Sequence, residues 1–190
     1  MQRRMPALLL FLLAPCMPAG SQETQPWIDI CSGYGCNYRT RLMIDAGTVR
    51  DLAGIMPKGA TSARAERAAI AKAVQYFERR STQAIGVADA PKGTFAGGRV
   101  KGQMDCIDES TNTRSLLMLL ADSGLLRHHR VEPNTSRGVF LDGRYPHFTA
   151  VIRDGGGMRW AIDSWYEPAG GPPDIMPLAE WRKRGVGGER

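Results

Sequence analysis

Asp105-Cys106-Ile107-Asp108-Glu109 runs directly into Leu116-Leu117-Met118-Leu119-Leu120, so an acidic turn opens an apolar helical run with one cysteine at the junction. A cysteine on the first turn of a helix feels the positive end of the macrodipole, which lowers its pKa and favours a nucleophilic thiolate. Asp105 suits the N-cap and Asp108 the return contact of a capping box, which predicts Cys106 at the first helical position. Gly124, after Asp122 and Ser123, suits the C-terminal stop. Asp105, Asp108 and Glu109 oppose ionisation of the thiol, so a cationic partner is called for. The same position also suits a small structural thiol under a cap.

The partner is sought among three histidines. His128 and His129 lie in a basic stretch just past Gly124, where they complement the negative helix end and read as part of a partly exposed segment. His147 heads an apolar strand, Phe148-Thr149-Ala150-Val151-Ile152. Asp154-Gly155-Gly156-Gly157 then makes a turn, and Met158 to Asp163 forms a second strand. Pairing Ile152 with Met158, Ala150 with Trp160 and Phe148 with Ile162 gives one wholly apolar face. The other face then holds His147 directly across from Asp163, and a two-residue offset keeps both on that face. A carboxylate that orients an imidazole, and an imidazole that takes a thiol proton, form the base half of a nucleophilic triad. The bland alternative is a cross-strand ion pair.

The elements that must position these residues are less evenly legible. Ile70, Val74 and Phe77 fall on one face of an amphipathic helix over 61–80, with Arg64, Glu66, Lys72, Gln75 and Arg79 assigned to a solvated face. Tyr38 to Ile44 reads as a strand and Thr48 to Ile55 as a short helix stopped at Met56-Pro57. Gly86 to Gly102 reads as a loop leading to the cysteine. Leu178 to Arg184, with Trp181, reads as a short closing helix.

With 190 residues, 43% hydrophobic and 23% charged, the chain fits one globular domain with appended ends. Arg3 and Arg4, the apolar block 7–14 and Ala19-Gly20-Ser21 read as a secretory signal peptide over 1–21, which predicts a periplasmic or secreted product. Leu13-Ala14-Pro15-Cys16 also resembles a lipobox, although the proline before Cys16 fits it poorly. Loss of Arg3 and Arg4 lowers the formal charge from +6 to +4. That mild charge, without a nucleic-acid motif, argues against nucleic acid, and no apolar run reaches membrane-spanning length. Cys31 and Cys36 suit a small-loop disulfide in an oxidising compartment; the alternative, a metal site, finds only half a zinc shell there.

The order Cys106, His147, Asp163, with Asp105-Cys-x-Asp108 opening a helix and Trp160-Ala-Ile-Asp163 closing a strand, resembles the bacterial transglutaminase-like cysteine proteinases of the papain-like superfamily. The resemblance covers about residues 103 to 168. It implies an α+β fold whose nucleophile-bearing helix packs on an antiparallel sheet, spanning 22–190 with 22–60 as an extension that carries the Cys31/Cys36 loop. It also implies Cys106 as nucleophile, His147 as general base and Asp163 as orienter, acting on a peptide or protein substrate through a thioester. The oxyanion would be met by the Cys106 backbone N–H and the Gln103 side chain. Some of these proteinases bind calcium through acids flanking the cysteine, which points to Asp105 and Asp108, but Ile107 stands where those relatives carry an acid. The expected function is peptide or amide hydrolysis, with transamidation, a non-catalytic binding or scaffold domain, and a Cys31/Cys36 redox protein as alternatives.

Overall fold

The computed structural model describes residues 26–56, 61–138 and 146–184. The signal peptide over 1–21 and Cys16 lie outside the described residues. No helix among the described residues is long and apolar enough to cross a membrane.

The chain is α+β, with helices against antiparallel sheet. Strand β1 (Trp27–Ser32) pairs with β2 (Tyr38–Met43), and Cys31 forms a disulfide with Cys36 across their connection. The strand expected over 38–44 is therefore one arm of a hairpin, and its partner was not read from the sequence. Helix α1 (Ala46–Ile55) starts earlier than expected, because the Asp45 carboxylate accepts the Thr48 N–H as N-cap. Helix α2 (Ala63–Ile85) is capped by Ser62 and runs past the expected end to Gly86, which takes the left-handed conformation at φ 85° that glycine adopts without strain. Helix α3 (Cys106–Asp122) begins at the cysteine as read, with Asp105 as N-cap and the reciprocal contact of Asp108 in place.

Strands β3 (His129–Arg137), β4 (His147–Asp154), β5 (Arg159–Asp163) and β6 (Asp174–Pro177) form a four-stranded antiparallel sheet in that order, followed by α4 (Leu178–Trp181). One face of β4 and β5, carrying Ala150, Ile152 and Ile162, packs on Leu116, Leu117 and Leu120 of α3 and on Ile70, Val74 and Phe77 of α2. The opposite face, carrying Val151 and Ala161, is closed by Leu178 and Trp181.

Two expectations are corrected here. The β4–β5 register pairs Ile152 with Trp160 and Ala150 with Ile162, two residues from the simplest pairing. The Asp154 carboxylate accepts the Gly156 and Met158 N–H groups, which draws Met158 into the turn and leaves β5 to start at Arg159. Parity is unchanged, so His147 and Asp163 share a face as diagonal rather than opposite neighbours.

The second correction concerns Glu66 and His129, both read as solvated. Both side chains are fully buried, with His129 Nδ1 2.8 Å from Glu66 Oε1. Glu66 also accepts the backbone N–H groups of Arg127, His128 and His129, at 2.7 to 3.1 Å. Despite its burial, those N–H groups and the His129 ring hold the Glu66 carboxyl below its ordinary pKa. One carboxylate thus fixes the turn from α3 into β3. Glu66→Ala is expected to lower stability by about 3 to 5 kcal/mol, because several buried donors lose their acceptor. Urea unfolding checks this, and a loss below about 1 kcal/mol would contradict it.

Candidate active site

His147 and Asp163 meet on the face closed by α4. His147 Nε2 lies 2.7 Å from Asp163 Oδ2, and both residues are buried. A carboxylate only accepts, so Nε2 carries the proton in that bond and Nδ1 is the nitrogen left over. Nδ1 is buried and has no hydrogen-bond partner among the described residues. The ring is walled by Trp165, Tyr166 and Trp181, with centroids 4.7, 5.6 and 5.7 Å away. The Trp181 indole N–H donates to the same Asp163 Oδ2, at 2.7 Å.

Cys106 is the free cysteine among the described residues and is 6% exposed. Its sulfur meets the backbone N–H of Phe148, the residue after His147, which places the thiol at the start of β4. It makes no hydrogen bond to His147 Nδ1. Burial pushes the thiol up to about 11; Asp105 and Asp163 push it the same way, and the Phe148 and Cys106 N–H groups only partly offset them. Burial and the neighbouring acids therefore favour the thiol at the helix start, against the thiolate that the helix dipole favours.

The acids expected to crowd the sulfur are otherwise engaged. Asp108 accepts the N–H groups of Cys36 and Tyr34, at 2.5 and 2.8 Å, and reaches Asp105 N at 3.5 Å. Burial raises its carboxyl to about 6. Asp105 accepts from Ile107 N and Asp108 N on one oxygen and from Gly35 N on the other. Every carboxylate oxygen of Asp105 and Asp108 thus faces an N–H donor, which does not fit a calcium ion. Cys31, Cys36 and Asp108 sit together, but the two sulfurs are bonded to each other, which removes the metal reading of that pair. Gln103 is not turned to the sulfur: its amide donates to Ala88 O at 3.1 Å and accepts from Ala90 N at 3.4 Å, bracing the loop before α3.

Sequence reasoning missed a buried acid cluster behind this site. Glu109 bonds Ser164 Oγ at 2.7 Å, Asp89 holds the Met104 N–H at 2.7 Å, and Glu78 holds the Gly170 N–H at 2.6 Å. The three line one cavity of about 10 Å³ with Phe77, Asn112 and Thr113. Burial is the main cause that raises Glu78 to about 7, Asp89 to about 6 and Glu109 well above the ordinary carboxyl range. The cluster ties α2, the loop before Cys106, α3 and the segment after Asp163. Its one sequence signal is Glu109, an acid one helical turn from Cys106 on a helix that must be buried.

Comparison with family models, with curated proteins and with solved structures found no match.

Acids whose pKa is raised on folding bind protons more tightly in the native state, so stability is fullest below the unfolded values and falls as pH rises through the folded ones. The melting temperature is expected to fall between pH 5 and pH 8, with a group moved as far as Glu78 accounting for about 3 kcal/mol. Glu109→Gln, which mimics the protonated acid, is expected to flatten that fall. Calorimetry across the range checks both, and a melting temperature that rises over this interval would refute the assignment.

Proposed function

We propose that the protein is an exported cysteine-dependent acyl-transfer enzyme, a peptidase or amidase that works through Cys106, His147 and Asp163 on the papain-like core its sequence resembles. The observation that carries this reading is the buried His147 ring: Nε2 is held by Asp163 and Nδ1 has no partner among the described residues, while the Cys106 sulfur meets the backbone N–H of Phe148, the next residue along β4. An orphaned buried nitrogen costs about 1 to 3 kcal/mol, which a structural ion pair gives no reason to bear and a base awaiting its substrate does.

In this reading the Cys106 S–H bond breaks as sulfur attacks a carbonyl carbon, and the proton moves to His147 Nδ1. Asp163 stabilises the imidazolium through Nε2. The backbone N–H of Cys106, at the start of α3, faces the oxyanion, while Gln103 holds the loop that leads to it. The proton then passes from Nδ1 to the leaving amine as the C–N bond breaks, and a water activated by Nδ1 hydrolyses the thioester. No step is assigned to a metal. Export to an oxidising compartment is in keeping with the Cys31–Cys36 disulfide.

The buried, protonated thiol favours a second reading, a binding or scaffold domain of the same fold without turnover. Intact mass after reaction with an activated peptide ester separates the two. The expected result is one acyl adduct on Cys106, lost in Cys106→Ala and formed at least about 100-fold more slowly in His147→Ala and Asp163→Asn. No adduct on the wild-type protein means the second reading holds. An added primary amine that appears in the product marks transamidation rather than hydrolysis.

A further inference from the structure

Arg137 ends β3 opposite His147, and paired residues of antiparallel strands project to the same face. Its guanidinium is buried, at 6% exposure, and no carboxylate among the described residues lies within ion-pair distance of it. Instead Nη1 donates to Trp181 O and Nη2 to Tyr166 Oη, each at 2.6 Å, and the guanidinium stands 4.6 Å from the Trp181 ring centroid. Trp181 in turn donates its indole N–H to Asp163 Oδ2, the oxygen that His147 Nε2 contacts. Trp181 therefore bridges a buried cation and a buried anion that do not touch.

A buried guanidinium without compensation is strongly unfavourable, and so is a buried carboxylate. Together Arg137 and Asp163 leave the pocket electroneutral when the imidazole between them is uncharged. The other titratable groups around the pair are Tyr166 beyond β5, whose ring stands 5.6 Å from the imidazole, Asp174 opposite Asp163 on β6, and Cys106, whose sulfur at the start of α3 feels the Asp163 charge. Burial raises the Tyr166 phenol and Asp163 adds to this, while Arg137 and Arg184 lower it, and Lys92 stands 5.9 Å from its ring. Asp174, the β6 partner of Asp163, projects to the same face but is itself paired with Arg184 at 3.1 Å, and no other carboxylate among the described residues pairs with the imidazole.

We propose that Arg137 is a positioning residue for the His147–Asp163 pair: acting through Trp181, it offsets the charge of Asp163, so that His147 serves as a neutral base for a protonated Cys106 thiol. This rests on the triad reading given above. Without Arg137, the uncompensated Asp163 favours the imidazolium, the Cys106 proton resides on Nδ1, and a thiolate exists before any substrate arrives.

The test is the rate of Cys106 alkylation by iodoacetamide, read by peptide mass from pH 5 to pH 9. Wild-type reactivity is expected to be low at pH 6 and to climb with pH. Arg137→Met is expected to raise the pH 6 rate about tenfold or more, the equivalent of a unit of ionisation, while Arg137→Lys keeps the wild-type curve. A curve for Arg137→Met that superimposes on wild type, or an equal shift in Arg137→Lys, overturns the proposal. Where circular dichroism shows that Arg137→Met has not folded, Trp181→Phe decides: it keeps the ring, removes the indole N–H and is expected to move the curve the same way, and no shift overturns the proposal. His147→Ala in the Arg137→Met background is expected to abolish the gain. A gain that persists there removes His147 as proton acceptor and with it the triad reading, whereas a missing gain with the acyl adduct intact removes only the role of Arg137.

Discussion

The Asp108 carboxylate is the contact on which the rest of the site depends. It is wholly buried, and it gathers the N–H groups of Tyr34 and Cys36 from a loop more than seventy residues away. The loop presents them because Gly33, Tyr34, Gly35 and Cys36 all have positive φ, which turns successive N–H groups to one side, and the disulfide holds that shape. Asn112, one helical turn further on, repeats the arrangement by bonding both the N–H and the carbonyl of Cys31. The start of α3 is thus held from outside as well as by its own cap. A slip of one residue would rotate Cys106 by roughly 100° and strand a buried carboxylate, so the position of the sulfur is set by polar satisfaction before any apolar packing.

The other wall is fixed by packing. Strand parity sends Ala150, Ile152 and Ile162 into the main core, which obliges His147, Val151, Ala161 and Asp163 to face the other way. A sheet with that face open would leave His147 in water. Four residues of α4 close it, with Trp181 fully buried and Arg137 capping its carbonyl. The imidazole is therefore dry on a short terminal element, and the indole that dries it also bonds Asp163. Covering the apolar side chains and setting the electrostatics of the pair are one event in this fold.

What could be read from the sequence was what is encoded locally. The cap at Asp105, the capping box at Asp108, the first helical position of Cys106 and the shared face of His147 and Asp163 follow from spacings of two to four residues or from alternation. The exact β4–β5 register did not, because it turns on the Asp154 side chain closing the hairpin, a choice apolar pattern cannot register. Glu66 was assigned to a solvated face, Glu109 was read only as an acid beside the sulfur, and Glu78 and Asp89 gave no signal, since the donors that let these four be buried lie between 15 and 92 residues away. Arg137 was hidden for a related reason: Pro133-Asn134-Thr135-Ser136 inside His129–Arg137 reads as a turn, where the strand in fact breaks register between Glu132 and Thr135, and only strand pairing reveals that its last residue stands beside His147.

The acidity of the site and the idle nitrogen of His147 belong to the same physical argument. The first turn of a helix and the Phe148 N–H both favour a thiolate, yet burial with Asp105 and Asp163 outweighs them and lifts Cys106 from 9.0 to about 11. A thiol that weakly acidic is no nucleophile at rest, so in the proposed reaction its proton must leave as the carbon–sulfur bond forms. That demands an acceptor already desolvated, already oriented and carrying an unshared pair. His147 meets each demand through a different feature: Asp163 sets the tautomer, the aromatic wall excludes water, and Nδ1 has no partner among the described residues. A preformed ion pair would make opposite demands, a solvated or positively biased sulfur and an uncompensated carboxylate. The buried guanidinium behind Trp181 stands against the second of these, as burial of Cys106 stands against the first.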